Sequence, residues 1–330
     1  MATSATTMHG GAGPNAGSRT FLAKLRDGDE IARLVTFIFA ASVFLIVVFL
    51  VFELWQQSVL PRHKFGLAFF VTSVWDPIFE KFGALPFIYG TLVTSAVALC
   101  LAVPLGIGAA IFLAELAPQK LSDSLQFFID LLAAVPSVIY GMLGIFILVP
   151  LMRQYVDPAL KSTLGFLPLF QGPAYGVGFL TAGIVLTTMI IPYIISVSRE
   201  ILLSVPRDQR EAALALGATR WESTWKVVVP YARTGIMGSI FLALARALGE
   251  TMAVTMVIGS TPIISASLFS PGDSIASVIA SQFTEATGDM YLQALVELGL
   301  VLFLLTFVLN GLARLLIVLT AQRGSGMGNA

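Results

Sequence analysis

Six apolar runs, each close to the roughly 20 residues that a bilayer-spanning helix needs, set the strongest limit on this chain's fold. Hydrophobic residues make up 57% of the chain and charged residues 12%, whereas soluble domains average about 45–50% and about 25%. These figures exclude a soluble enzyme, a disordered protein and an outer-membrane barrel. We therefore predict an all-α, polytopic membrane protein whose six transmembrane helices lie at 34–52, 88–113, 131–152, 180–197, 235–258 and 292–319.

Charge and cysteine usage narrow the class of function. Lys and Arg together number 19, and Asp and Glu also number 19, so there is no global basic field and we expect no nucleic-acid partner. The chain has one cysteine, Cys100, and two histidines far apart in sequence. One cysteine cannot form an intrachain disulfide or a cysteine-rich metal site. We therefore expect no metal and no catalytic residue in this chain.

The distribution of Lys and Arg predicts the orientation. With a cytoplasmic N-terminus, 13 of the 19 basic residues lie in inside segments and five in outside segments, as the positive-inside rule requires. Both termini are therefore predicted to be cytoplasmic. The predicted organisation is a disordered tail at 1–30, a first helix and extracytoplasmic loop at 31–86, a five-helix region at 87–320 and a cytoplasmic tail at 321–330.

The cytoplasmic loop at 198–234 is the most informative segment. Its strong helix formers around Glu211, Ala212 and Ala213 predict a short helix, and Gly217 suits the end of that helix, where a left-handed backbone is often needed. A second helical turn should follow. Small alanine side chains would let a partner backbone come close, so one interpretation is a docking element for a cytoplasmic protein. The other is an amphipathic helix that lies on the lipid surface.

Two opposite charges fall inside the fifth predicted span. Arg246 lies near its middle, and Glu250 lies one helical turn later on the same face, where the two side chains can pair. One interpretation is a structural ion pair. The other is an anion site, since charged residues inside membranes are functional candidates and the planar guanidinium fits tetrahedral oxyanions. Ser137 and Tyr140, beside Pro136 in the third span, are weaker candidates for lining a path.

The loop resembles a known family. It carries Glu211-Ala212-Ala213, then Gly217, then V-x-V-P ending at Pro230, which is similar to the EAA signature of ABC importer permeases except that Ile and Leu are replaced by Val. The resemblance covers about 88–314 and implies a type I ABC importer permease fold. It also implies that these five residues form the coupling helix region that docks on the ATPase. The chain has no phosphate-cradling Walker sequence, so ATP and Mg²⁺ are expected on a separate ATPase.

A second string narrows the resemblance. Residues 246–259 read RALGETMAVTMVIG, 206–210 read PRDQR and 134–141 read AVPSVIYG, and these strings resemble phosphate importer permeases of the PstC type. The resemblance implies a bacterial inner-membrane subunit that translocates inorganic phosphate along a path containing Arg246 and Glu250. It implies as partners a PstA-like permease, a PstB-like ATPase dimer and an extracytoplasmic phosphate-binding protein.

Three alternatives stay open on the sequence. The chain could serve another oxyanion such as molybdate or sulfate, or it could be the paralogous PstA-type subunit. It could also be an ion-coupled secondary transporter that uses Arg246 and Glu250 alone, although that reading leaves the coupling loop unexplained.

Overall fold

The structure is a computed structural model that describes the backbone of residues 29–325 and the side chains of 31–315 and 317. The predicted tail at 1–30 lies outside the described residues except for the backbone of its last two positions. Of the predicted tail at 321–330, only the backbone up to Ser325 is described.

The described chain is helical. Within residues 29–325 the only β-type pairing is an isolated bridge between Asp76 and Lys81. The α-helices are α1 Asp29–Gln57, α2 Val59–Phe65, α3 Ala68–Val71, α4 Leu85–Ile111, α5 Gln119–Ala133, α6 Ser137–Leu143, α7 Val149–Leu151, α8 Asp157–Leu164, α9 Phe179–Leu203, α10 Arg207–Ala215, α11 Arg220–Ser223, α12 Val229–Leu248, α13 Met252–Ile258, α14 Ile275–Gln282 and α15 Asp289–Ser325.

Six helical stretches in the described residues are long and apolar enough to cross a membrane, which confirms the predicted number of spans. They are Ile31–Gln57, Leu85–Leu116, Ser137–Leu164, Phe179–Leu203, Arg220–Leu248 and Asp289–Leu315. We refer to them as spans one to six. The chain is thus a multi-pass membrane protein.

The chain divides into two compact units, Met1–Glu53 and Leu54–Ala330. In the first unit, the helix up to Glu53 exposes nearly all of its large apolar side chains. In the second unit, span four is the centre: 67% of its apolar window is buried, compared with 33% or less in the others. Its buried side chains pack with those of span two and of α12 and α13 in the largest hydrophobic cluster.

The third span begins later than predicted. The expected span at 131–152 is wrong, because residues 119–133 form the separate helix α5 and span three covers Ser137–Leu164. Pro136 stands at the cap of α6 rather than inside a span, as expected for a residue that has no backbone N–H to donate. Leu131 and Leu132 at the end of α5 are apolar and exposed, so hydropathy counted the last three residues of α5 as part of the span.

The fifth span is interrupted where a continuous helix was predicted. Helix α12 ends at Leu248, and α13 begins at Met252, so the predicted span at 235–258 contains a break. Gly249 caps the end of α12, and glycine is a poor residue for a helix interior. Arg246 therefore lies in the last turn of α12 rather than in the middle of a span.

Prolines set the irregular turns of the long helices. The described residues contain π-helical turns at Phe112–Leu116, Gly144–Leu148, Met152–Val156 and Thr224–Val228. Each of these turns ends two residues before a proline, namely Pro118, Pro150, Pro158 and Pro230. A proline cannot donate to the carbonyl four residues back, so the preceding turn widens to satisfy its carbonyls differently.

An extended segment after span five packs against the start of span two. Asp273 on this segment is 1% exposed, and its Oδ1 accepts a hydrogen bond from the Ser274 backbone N–H at 2.9 Å. Its Oδ2 is buried without a hydrogen-bond partner among the described residues. The backbone N–H of Ile275 donates to Thr91 Oγ1 of span two at 3.0 Å. The segment is therefore fixed against span two with a carboxyl group inside.

This carboxyl predicts a pH dependence of stability. Burial raises the pKa of Asp273 from 3.8 to about 6, so the native state favours the protonated form. Its favourable contribution is therefore present below about pH 4 and is lost as the pH rises to about 6, with a total near 3 kcal/mol. Asp273→Asn removes the titration. We expect the difference between the thermal midpoint of Asp273→Asn and that of wild type to increase from about pH 4 to pH 7.

Thermal unfolding of the purified complex at several pH values measures this difference. Asp289→Asn is the matched control for the loss of one carboxylate, because Asp289 is exposed at the start of span six. A constant offset between Asp273→Asn and wild type across this range would contradict the prediction.

Candidate functional site

The loop predicted at 198–234, which takes in the first turns of span five and is called below the loop between spans four and five, folds as predicted into two short helices around a glycine. Helix α10 covers Arg207–Ala215, and Gly217 follows with φ +88°, a left-handed conformation that glycine adopts without strain. Glu211 and Ala212 are exposed, and Ala213 is half-buried. Open space surrounds Gly217. The helix thus presents small side chains on an accessible surface.

Hydrogen bonds between Thr219 and Glu222 stabilise the start of helix α11. The Thr219 hydroxyl accepts from the Glu222 backbone N–H at 3.2 Å, and the Thr219 backbone N–H donates to the Glu222 carboxylate at 3.0 Å. This reciprocal capping box satisfies two of the donors that a helix start leaves unpaired. Trp221 and Trp225 pack edge to face with ring centroids 5.5 Å apart, and both are exposed. Pro230 lies in the first turn of α12.

The structure places Arg246 at the end of span five, next to the break that follows Leu248, and no ion pair found among the described residues includes it. Its guanidinium carbon lies 4.4 Å from the ring centroid of Tyr193 on span four. Its Nε is buried and has no hydrogen-bond partner among the described residues. Arg246 as a whole is half-buried, and a charged side chain within an apolar span is costly unless it finds a partner. An unpaired guanidinium next to an interrupted helix is therefore suited to receive an anion.

Glu250 does not neutralise Arg246. The predicted pairing within one helix is wrong: the ion pairs found among the described residues do not join these two side chains. Glu250 Oε1 instead accepts from the backbone N–H of Ala253 at 3.4 Å, at the start of α13. A carboxylate there is favoured by the positive end of the helix dipole. The break at Gly249 removes the one-turn spacing on which the pairing depended.

The third span starts beside the same region. The Tyr140 hydroxyl donates to the Leu132 carbonyl at 2.8 Å, and the Tyr193 hydroxyl donates to the Ala133 carbonyl at 3.3 Å. Both tyrosines thus satisfy carbonyls that the end of α5 leaves unpaired. Ser137 is half-buried at the first residue of α6, one turn before Tyr140. The structure therefore brings together Tyr140, Tyr193 and Arg246 near two helix interruptions.

Helices α6 and α13, which begin directly after the two helix interruptions, pack closely against each other. A Cβ on Gly141 of α6 would lie 2.6 Å from Met256 Sδ and 3.1 Å from the Ala253 Cα, both on α13. A Cβ there would require Met256 to move and α13 to shift slightly, so α6 and α13 lie against each other directly after their respective breaks. The start of span three (α6) and the helix that follows span five (α13) are thus neighbours.

Two functional candidates were missed from the sequence. Tyr193 supports Arg246, and the available signal was an aromatic residue directly after Pro192 inside an apolar span. Arg210, one residue before the Glu-Ala-Ala string, forms an ion pair with Glu115 at 2.7 Å. The sequence signal for this pair was Glu115, a lone acidic residue at the end of the uncharged run that forms span two.

The sequence of this chain is similar to those of known transport proteins. Residues 102–319 match the family described as "Binding-protein-dependent transport system inner membrane component". The chain is 49% identical over 258 residues to "Phosphate transport system permease protein PstC" of Mesorhizobium japonicum, covering 77% of this chain and 79% of that protein. It is 48% identical over 294 residues to the protein of the same name from Pasteurella multocida, covering 87% of this chain and 90% of that one.

Solved structures share the fold at low sequence identity. A chain of a bacterial alginate ABC transporter, in complex with its alginate pentasaccharide-bound periplasmic protein, matches with a TM-score of 0.57 and 16% identity, over 86% of this chain and 94% of that one. An inward-facing MetNI methionine ABC transporter matches with a TM-score of 0.53 and 15% identity, over 74% and 98%. These likenesses show the ABC importer permease fold. The chain belongs to the binding-protein-dependent transport system inner membrane component family.

Proposed function

We propose that this chain is the PstC-type permease subunit of an ABC importer that carries inorganic phosphate into the cytoplasm. The observation that carries the proposal is the guanidinium of Arg246 beside the break after span five, where its Nε is buried and has no hydrogen-bond partner among the described residues. Its context is a chain 49% identical to a phosphate transport system permease. A planar guanidinium donates two parallel hydrogen bonds and therefore fits two oxygens of a tetrahedral oxyanion.

The anion would occupy the region around Arg246, Tyr193 and Tyr140. The guanidinium supplies the positive charge, while Tyr193 holds it from beneath by a cation–π contact. Ser137 and Glu250 stand at the starts of the two helices that follow the breaks. We assign them to the lining of the path, Ser137 as a hydroxyl donor and Glu250 as a carboxylate that orders the break. No covalent step is performed on phosphate.

Transport would be driven from the loop between spans four and five. Both termini and this loop lie on the cytoplasmic side, as the excess of basic residues supports. Glu211, Ala212, Ala213, Gly217 and Pro230 form the surface that docks on the ATPase. ATP and Mg²⁺ bind on that partner, and this chain is a non-catalytic subunit. ATPase closure moves α10, the path opens outward to a loaded binding protein, and hydrolysis resets it inward.

The family itself requires a binding protein outside the membrane, and an ATPase is implied by the ABC importer fold. We propose the specific partners as a PstA-like second permease, a PstB-like ATPase dimer and an extracytoplasmic phosphate-binding protein. The compartment is the bacterial inner membrane.

Uptake in cells that lack their own phosphate systems tests this function. We expect cells with this chain, a PstA-like permease, the ATPase and the binding protein to import labelled phosphate, and excess sulfate or molybdate to leave that import unchanged. Inhibition by either oxyanion would assign the site to that anion. Import only with a PstC-type partner would make this chain the PstA-type subunit. Import without the ATPase, driven by a proton gradient, would indicate a secondary transporter.

A further inference from the structure

Arg210 of the coupling helix α10 is tied to span two by a bidentate ion pair. Its Nε lies 3.2 Å from each carboxylate oxygen of Glu115, and its Nη2 lies 2.7 Å from Oε1. The two side chains are only 20% and 10% exposed. A shielded fork of charge-assisted hydrogen bonds fixes both distance and orientation. The contact is thus of a different kind from the exposed ion pairs elsewhere on the chain.

The same guanidinium also holds the end of span four. Its Nη2 donates to the Leu202 carbonyl at 2.7 Å, and its Nη1 donates to the Val205 carbonyl. These carbonyls belong to the last turn of the span and the link after it, where a helix leaves its acceptors unpaired. One side chain on α10 therefore binds the neighbouring ends of two membrane spans.

The chain itself does not provide this link to span two. Helix α10 follows span four after the short connection Ser204–Pro206 and leads through α11 into span five. Span two ends at Leu116, 90 residues before Pro206, and α5 and span three lie between them in the sequence. A displacement of α10 reaches spans four and five through the backbone. Span two packs on these spans through apolar side chains such as Leu113, Leu202 and Val228, and the Arg210–Glu115 pair adds a direct polar contact between α10 itself and span two.

We propose that the Arg210–Glu115 pair is a positioning device that makes the cytoplasmic end of span two move with the coupling helix during transport. This inference rests on the proposed function, because it assigns a route by which ATPase movement reaches the path. Without the pair, α10 would still dock on the ATPase through its exposed surface. Its movement would reach the spans incompletely, and ATP hydrolysis would be uncoupled from import.

The expected result for Glu115→Gln is hydrolysis without matching import. A neutral amide offers one acceptor oxygen and turns its NH₂ donor towards the guanidinium, so the bidentate fork is lost. We expect the number of phosphate ions imported per ATP hydrolysed to fall by roughly 5- to 150-fold, the usual range for a lost coupling between sites. Co-purification of the ATPase should stay at the wild-type level.

The two partners should act as a unit. In the Arg210→Gln background, adding Glu115→Gln should not lower the coupling ratio further, because Glu115 has then already lost its partner. Asp123→Asn is the matched control: Asp123 pairs with Arg199 at 3.4 Å between α5 and span four, and it is 61% exposed. Because this carboxylate is exposed, loss of the pair should leave the ratio unchanged. Additive losses in the double variant would overturn the proposal.

Spin-label distances test the movement without reference to any substrate. Labels at Lys120→Cys and Gln209→Cys, both exposed, report the separation of α10 from the segment after span two. In a Cys100→Ser background, the wild-type distance should be equal in the nucleotide-free and ATP-bound complex, whereas Glu115→Gln should make it change between these states. An unchanged distance in Glu115→Gln would overturn the inference. A wild-type complex that imports no phosphate would refute the proposed function alone.

Arg210→Lys keeps the test decisive if Glu115→Gln fails to assemble. Lysine retains the charge beside Glu115 but lacks the fork that also reaches Leu202 and Val205. We expect an assembled complex with an intermediate coupling ratio. A wild-type ratio for Arg210→Lys would overturn the assignment, because a point charge would then suffice.

Discussion

Replacing Arg246 with glutamine is expected to reduce phosphate import by roughly 10- to 150-fold while the complex stays assembled. The guanidinium has no countercharge among the described residues, so the bound anion would be its main charged partner. A hydrogen bond to a charged group contributes about 1.5–3 kcal/mol, which corresponds to that range of affinity. Glutamine keeps a similar length and polarity, so the packing of α12 against span four should survive.

Initial rates of labelled phosphate uptake at matched membrane levels measure this effect, with ATPase activity read in parallel. Arg246→Lys separates charge from geometry, because lysine keeps the charge but cannot form two parallel bonds. We expect it to fall between wild type and Arg246→Gln. Arg314→Gln is the control, since Arg314 is an exposed arginine in span six. Unchanged uptake by Arg246→Gln, with normal ATPase activity, would remove Arg246 from the path.

Features that depend on local sequence were predictable. The six spans follow from the length of apolar runs, because the bilayer imposes one thickness on every crossing helix. The turn at Gly217 follows from its place after a run of helix formers, and the structure confirms its left-handed backbone. The two tryptophans four residues apart fall on one face, as the helical repeat requires.

Helix interruptions were not predictable from hydropathy. On α5 the polar residues Ser122, Gln126 and Asp130 face span four, where Gln126 and Asp130 both bond the Ser196 hydroxyl, while Phe127 and Leu131 are exposed. Because this exposed face is apolar, the predicted third span began at residue 131, within the last turn of α5. The break at Gly249 likewise lies inside an apolar run, where average hydropathy does not register the loss of a few backbone hydrogen bonds.

The contacts that define the candidate site join residues remote in sequence. Arg210 and Glu115 are 95 residues apart, and Tyr193 meets Arg246 across two different spans. Hydropathy and motif spacing describe each span alone and carry no information on which faces meet. The packing of spans two, four and five around one core creates these neighbours, so the charged pairing had to be read from the structure.

Two glycines of α4, Gly90 and Gly108, should respond to alanine substitution with opposite changes in stability, because only Gly90 lies against another backbone segment. A Cβ on Gly90 of α4 would lie 1.9 Å from the Asp273 carbonyl oxygen and 3.3 Å from Phe179 Cε1. Neither side can yield easily, because the segment at Asp273 is bonded to Thr91 and Phe179 is fully buried in the core. Gly90→Ala should therefore destabilise the protein by about 3 kcal/mol, the upper part of the usual overpacking range.

Gly108 lies on the same helix. Apart from the backbone of its own helical turns, no atom lies within 4 Å of the position that a Cβ would take there. Gly108→Ala removes backbone freedom from the unfolded chain without creating a clash, so it should stabilise the helix by about 0.5–1 kcal/mol. Thermal midpoints of the two purified variants, assembled with their partners, measure both signs at once. Equal shifts would show that helix propensity alone governs α4. A lower midpoint for Gly90→Ala and a higher one for Gly108→Ala would locate the tight contact at Asp273, where the segment that follows span five is anchored to span two.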